Sequence, residues 1–231
     1  MIVLSLFDGM SCGQIAFDKL GIKFDGINNK YFASEIKKHA IKVTKNNYPN
    51  TIHIGDVTKV SYKNGTLYTE NGEYEVGEID YLIGGSPCQD FSVAKLNNVK
   101  YGLEGDKSKL FYEYLRLLRE INPKYFLLEN VRMKEDSKKV YCLTRKQDRC
   151  PNSGLIKHKD FCRYLTQREL EAAQTVPSGY TDCLTYSQAQ CVLGDGWTVD
   201  VIVHILKSSF NTEVEKVMLG KNKVEQLKWI I

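Results

Sequence analysis

The sequence predicts an α/β fold: a mostly parallel sheet with helices on both faces. Two observations carry this. Through the first 133 residues, apolar strand-length runs alternate with amphipathic helical patterns, the arrangement of consecutive βα units. Several of those runs also end by presenting a glycine, an acid or a thiol, as at Leu6-Phe7-Asp8-Gly9 and Ile83-Gly84-Gly85. Open sheets bind ligands at the carboxyl edge of their strands, so polar groups placed there suggest a site.

Taken in order, the elements expected are strands at 2–6, 31–35, 51–54, 79–83 and 125–129, with helices at 13–20, 36–47 and 107–121. The first strand breaks into Phe7-Asp8-Gly9-Met10-Ser11-Cys12-Gly13, and a helix follows. Strand, glycine-containing turn and helix N-terminus together suit a charged cofactor, because free backbone N–H groups and the helix dipole converge there. The pattern is not the GxGxxG of dinucleotide folds, and read alone it is equally an ordinary tight turn. Between Val60 and Glu78 the alternation is interrupted. Asn64-Gly65 and Asn71-Gly72 are turn dipeptides between Tyr/Thr/Val-rich stretches, which predicts a β-hairpin excursion of decorative character. From Lys207 to Ile231, apolar residues at Val214, Val217, Met218, Val224, Leu227 and Ile230 recur at helical spacing, predicting one or two amphipathic helices interrupted at Gly220.

The most informative run is Leu82-Ile83-Gly84-Gly85-Ser86-Pro87-Cys88-Gln89. An apolar strand enters glycines and then carries a cysteine on a proline-stiffened loop. A single cysteine is more often a small buried hydrophobe than a nucleophile. A second strand, Phe126-Leu127-Leu128, ends in Glu129-Asn130-Val131, an acid and an amide. The alternative reading of Glu129, the lesser one beside Cys88, is a strand-end carboxylate capping the next turn.

Taken together and in this order, these segments resemble the cytosine-5 DNA methyltransferase family of phage and bacterial type. The resemblance extends over most of the chain. Phe7, Asp8, Gly9 and Met10 with Cys12-Gly13 look like that family's S-adenosylmethionine (SAM) loop. Glu35 and Ile36 look like the second strand end, where an acid takes the ribose hydroxyls and the next side chain covers the adenine. Asp56 and Val57 look like the third, whose acid reads the adenine amino group. Pro87-Cys88-Gln89 and Glu129-Asn130-Val131 match the nucleophile and acid motifs. Arg163-Tyr164-Leu165-Thr166 with Gln174, Pro177 and Tyr180 is similar to the ninth motif block. Asp195, Gly196 and Trp197, inside Gly194 to Val199, resemble the tenth, which closes the cofactor pocket.

The resemblance implies a SAM-dependent, Rossmann-like sheet and a defined chemistry. Carbon 5 of cytosine is a poor nucleophile until a thiolate adds to carbon 6. Cys88 is the residue expected to add, with Gln89 beside it. Glu129, with Asn130, is expected to hold or protonate ring nitrogen 3. A stacked base cannot reach such a pocket, so the implied partner is DNA with a flipped cytosine. Lys95, Lys100 and Lys107 flank the loop that closes over the base in the family, where phosphate contact and plain solvation are equally open readings.

Beyond Met133 the chain departs from the family pattern. Arg132 to Val140 leads at once into Tyr141-Cys142-Leu143-Thr144-Arg145-Lys146, where relatives carry an arginine block and a long target-recognition region. The expected organisation is a SAM-binding and catalytic part over 1–133, a shortened recognition remnant over 134–162, and a C-terminal part over 163–231 returning to the catalytic body. Arg145 and Arg149 are the nearest candidates to replace the carbonyl-binding arginine, and surface solvation is their alternative. A second chain supplying recognition is a further implied partner. Asp195 stands where the family usually has Asn, and Gly26 to Lys30 looks like a short insertion. Two other readings stay open: a catalytically weak or inert SAM- or DNA-binding relic, and an RNA cytosine methyltransferase.

Composition fits an intracellular enzyme. Of 231 residues, 32 are Lys or Arg against 28 acids, a net charge of +4, compatible with nucleic acid without identifying it. Seven cysteines without a framework suit a reducing, cytoplasmic setting. Cys142, Cys150 and Cys162 lack paired metal-ligand spacing and read as structural thiols. No signal peptide or membrane-spanning apolar run is evident, so no membrane partner is expected.

Overall fold

The structure is a computed structural model, and it describes residues 1–85, 109–129, 155–157 and 162–210. Five parallel strands form the central sheet: β1 (Ile2–Leu6), β2 (Lys30–Ser34), β3 (Ile52–His53), β7 (Tyr81–Gly85) and β8 (Tyr125–Glu129), in the spatial order β3-β2-β1-β7-β8. The chain moves outward from β1 to β3 and then crosses back to β7 on the other side of β1. The order therefore reverses between β1 and β7, and their carboxyl ends flank the crevice where doubly wound sheets bind ligands.

Both faces of this sheet are buried, so its strands are apolar throughout and their alternation sorts side chains between two cores. Val3, Tyr31, Ala33, Tyr81 and Ile83 face one core, with α1 (Cys12–Lys19), α2 (Lys38–Asn47) and three later helices. Leu4, Leu6, Phe32 and Leu82 face the other, with α3 (Lys109–Ile121). The later helices are α4 (Gln167–Ala173), α5 (Tyr186–Asp195) and α6 (Val199–Lys207). Capping boxes start the first two, Thr166 with Glu169 and Thr185 with Gln188, each satisfying orphan N–H groups at a helix start. A further antiparallel pair, β9 (Leu155–Lys157) with β10 (Cys162–Tyr164), lies apart from the main sheet.

Four expectations need correction. Strand β7 runs through Gly84 and Gly85 rather than stopping before them. Gly84 pairs with both Leu6 and Leu128, and a Cβ there would lie 2.7 Å from the Leu6 carbonyl; the glycine lets the strands close up instead of breaking them. Helix α2 begins at Lys38, not at 36, because the Glu35 carboxylate accepts the N–H groups of Ile36 and Lys37, both at 2.8 Å. The excursion is not one hairpin but a three-stranded meander, β4 (Ser61–Lys63), β5 (Thr66–Thr69) and β6 (Gly72–Glu75). Each turn dipeptide makes its own reversal, with Asn64 and Gly65 both at positive φ, 52° and 80°. Nor is the meander decorative: Leu67 is fully buried in the second core. Finally, Tyr186–Phe210 is apolar and long enough to span a bilayer by length and composition. It is nevertheless two helices broken at 196–198, and Ala189, Val192, Leu193, Val199, Ile202 and Leu206 lie in the first core. The expected helices of 211–231 lie outside the described residues, as does the start of α3 at 107–108.

Candidate active site

The carboxyl edge gathers three turns. After β1, the backbone takes the left-handed conformation at Phe7, Gly9 and Ser11, with φ of 56°, 60° and 61°. Non-glycine residues there are strained and need support, and Asp8 provides it. Its N–H donates to the Ser34 carbonyl at 3.0 Å. Its carboxylate accepts from Tyr31 Oη at 2.8 Å and from the Ser11 hydroxyl, which also meets Thr44 Oγ1 at 3.1 Å. Burial is the main cause that raises the Asp8 carboxyl to about 6, against the hydrogen bonds that lower it. Gly13 leaves room for the Tyr31 hydroxyl, since a Cβ there would come within 2.9 Å of it.

Glu35, at the end of β2, reaches back to this loop. Its Oε2 accepts the Gly9 N–H at 2.9 Å, while Oε1 holds Ile36 and Lys37. Ile36 itself stands 69% exposed beside a glutamate that is 9% exposed. Asp56, after β3, caps a short 3₁₀ turn by accepting the Thr58 N–H at 3.0 Å. Its own N–H donates to Glu70 of the meander at 2.8 Å, and Ser34 Oγ donates to the Gly55 carbonyl at 2.8 Å. The three acids thus sit at successive strand ends, and direct hydrogen bonding joins the first two turns. The side chains of Met10 and Val57 are buried, at 0% and 4% exposure, and serve the cores.

The C-terminal helices complete the edge. Tyr180 Oη donates to the Met10 carbonyl at 2.7 Å, and Lys19 on α1 pairs with Asp200 on α6 at 2.7 Å. Between α5 and α6, Asp195, Gly196 and Trp197 each meet a different part of the site. Asp195 Oδ2 accepts from Lys37 Nζ at 2.8 Å. Gly196 lies against Met10 and Cys12, where a Cβ would be 2.7 Å from Met10 Cε. Trp197 Nε1 donates to Glu129 Oε2 at 3.2 Å. The cation opposite Asp195 was not anticipated; an acid replacing an amide in the tenth block was the signal for it. Tyr31 was also missed, although a tyrosine in a central strand needs a buried partner for its hydroxyl.

Glu129 ends β8 exposed, in register with Gly85 at the end of β7. Cys88, Pro87 and Gln89 lie outside the described residues, as do Asn130, the lysines at 95, 100 and 107, the arginines at 145 and 149, and the stretch 134–140. Cys12 is a different kind of thiol: 3% exposed, with burial pushing it up to about 12, it is held as an inert hydrophobe.

A family model for the C-5 cytosine-specific DNA methylase matches residues 1–148. The orphan methyltransferase M.Rho11sI of Bacillus phage rho11s is 35% identical over 132 residues, 56% of this chain and 23% of that protein. The type II methyltransferase M.NlaIV of Neisseria lactamica is 36% identical over 128 residues, 55% of this chain and 27% of that one. The chain therefore matches about a quarter of the length of these curated relatives. Among solved structures, the Dnmt2 methyltransferase of S. pombe is similar with a TM-score of 0.64 at 12% identity, covering 90% of this chain and 98% of that one. That is a likeness of fold.

Proposed function

The chain belongs to the C-5 cytosine-specific DNA methylase family, and from that premise we propose that it methylates carbon 5 of cytosine in DNA through a covalent cysteine adduct. One observation carries the reading. Glu129 and Gly85 are partners at the ends of adjacent parallel strands, and Cys88 follows Gly85 by three residues in the chain. An acid at one strand end, with a thiol three residues along the chain from the neighbouring strand end, is the pairing that covalent chemistry on a pyrimidine ring requires.

SAM is the methyl donor that these residues fit. Glu35 Oε2 accepts one N–H and Oε1 two; a carboxylate offers about four acceptor positions, so roughly one is left for a hydroxyl. Ile36 gives an exposed apolar face next to it, suited to an aromatic ring. Phe7, Asp8 and Gly9 form the turn at the switch point, and Asp195, Gly196 and Trp197 border it from the C-terminal side. When bound, SAM supplies an electrophilic methyl group.

The remaining steps belong to the chain. The Cys88 thiolate forms a bond to carbon 6, and the ring's π electrons shift through carbons 5 and 4 to nitrogen 3. Glu129 supplies the proton that nitrogen 3 takes up, leaving carbon 5 enamine-like and able to accept the methyl group. A base then removes the carbon 5 proton, the carbon 5–carbon 6 double bond reforms as the Cys88 sulfur leaves, and nitrogen 3 returns its proton to Glu129. The target cytosine must be flipped from the duplex to enter.

The test is transfer of tritium from methyl-labelled SAM to duplex DNA and to tRNA, with Cys88→Ser as control. Label in DNA from the native chain and none from the variant, with SAM affinity kept within about threefold, is the expected result, since the lost group is the covalent nucleophile. Label only in RNA would move the substrate class. SAM binding without transfer to either would mark an inert relic.

A further inference from the structure

The tryptophan between α5 and α6 does more than border the cofactor side of the site. We infer that Trp197 is a positioning residue for Glu129, whose hydrogen bond holds one carboxyl oxygen and turns the other toward the ring nitrogen. The inference rests on the proposed function and names a residue that acts through the acid, not on the substrate.

The geometry is specific. Trp197 Nε1 lies 3.2 Å from Glu129 Oε2. An indole nitrogen donates and never accepts. It can therefore meet Oε2 only as a donor, with that oxygen accepting. Holding Oε2 leaves Oε1 as the oxygen presented to a ring nitrogen. Among the described residues Trp197 is the side chain that holds this carboxylate, which is exposed at a strand end.

The tryptophan is fixed well enough to impose this. On its amino side, Asp195 is tied to Lys37 at 2.8 Å, and Gly196 is wedged against Met10 and Cys12. On its carboxyl side, Thr198 Oγ1 donates to Gln174 Oε1 at 2.8 Å, and Gln174 Nε2 returns to the Leu193 and Gly196 carbonyls at 2.7 and 3.1 Å. Gly85 supplies the third wall. A Cβ there would lie 2.8 Å from Glu129 Oε2, 3.0 Å from Trp197 Nε1 and 3.3 Å from Trp197 Cζ2. The bare α-carbon of the nucleophile strand is what allows acid and indole to meet.

The experiment isolates the acid-assisted addition from the cofactor. When the thiolate adds to carbon 6, carbon 5 can take a solvent proton in place of a methyl group, and elimination then releases the original hydrogen. A mixed-sequence duplex tritiated at carbon 5 of cytosine therefore reports addition as tritium in water, with no SAM present. Trp197→Phe keeps the aromatic ring and removes the donor. It should lower exchange, measured without SAM, by about tenfold or more, the scale at which a displaced catalytic group shows. Gly85→Ala pushes the carboxylate from the opposite side and should lower exchange in the same way, which settles the matter if the tryptophan variant does not fold. Unchanged exchange in a folded Trp197→Phe, whatever its SAM affinity, overturns the inference and leaves the proposed function standing. Absence of both exchange and methyl transfer in the native chain overturns the proposed function, and this inference with it.

Discussion

Asp8 holds the turn after β1 with hydroxyls from Tyr31 and Ser11 on its two oxygens, and burial raises it from 3.8 to about 6. A carboxyl raised on folding contributes stability in its protonated form. That contribution is complete below about 3.8 and is lost as pH climbs through about 6. At neutral pH the ionised group costs up to about 3 kcal/mol, taking about 1.4 kcal/mol for each pH unit of the shift. Asp8→Asn should remove that dependence, since an amide oxygen still accepts from Tyr31 and its NH₂ can donate to the Ser11 hydroxyl. Urea unfolding across the range should show the variant's advantage growing as pH rises from 4 to 6 and then levelling at about 1–3 kcal/mol. A difference independent of pH would mean that Asp8 ionises in the folded chain as it does in the unfolded one.

At the scale of elements, the meander is where local reading and packing part company. Leu67 is fully buried, in one core with Leu4, Phe32 and Ile54. Around it, Arg116 of α3 donates to the Val60 carbonyl at 2.7 Å, and Glu120 accepts the Tyr62 N–H at 3.0 Å. Leu67→Ala should therefore destabilise the chain by about 2–5 kcal/mol, the cost of a cavity in a packed core, read from the urea midpoint. A change below about 0.5 kcal/mol, ordinary for surface sites, would return the meander to ornament. Its turns were legible as Asn-Gly dipeptides, but the burial of one leucine depends on α3, far along the chain. The parallel strands were legible to within about two residues because a sheet buried on both faces needs unbroken apolar runs. Helices α4 to α6 were not read as such. The capping boxes at Thr166 and Thr185 were present as a signal, whereas Val199 to Leu206 is β-branched and becomes helical by burying Val199, Ile202 and Leu206 in the first core. Within the site, the three acids at strand ends were legible by motif. Lys37, Tyr31 and the Trp197–Glu129 contact were not, because each joins segments with no shared local pattern.

At the scale of the whole molecule, the proposed chemistry needs a duplex opened at one cytosine, and the expected shortening of the recognition region predicts little discrimination in choosing it. The match to curated relatives occupies 128–132 residues, about a quarter of their length. The stretch after Met133, where the family pattern calls for an arginine block and a recognition region, is short in sequence. Phosphate contacts supply most sequence-independent affinity, and base-edge contacts supply discrimination. With a net charge of only +4, this chain alone should bind duplex DNA weakly and fall off steeply with salt. Competition binding at physiological salt, with a panel of cytosine-containing duplexes against random DNA, should show a preference well below a thousandfold, the lower end of specific recognition. If a second chain supplies the missing contacts, its addition should raise both the preference and the rate of methyl transfer without changing SAM affinity. A thousandfold preference in the isolated chain would mean instead that base-reading residues lie within its own 231, and that the departure after Met133 costs the protein nothing in recognition.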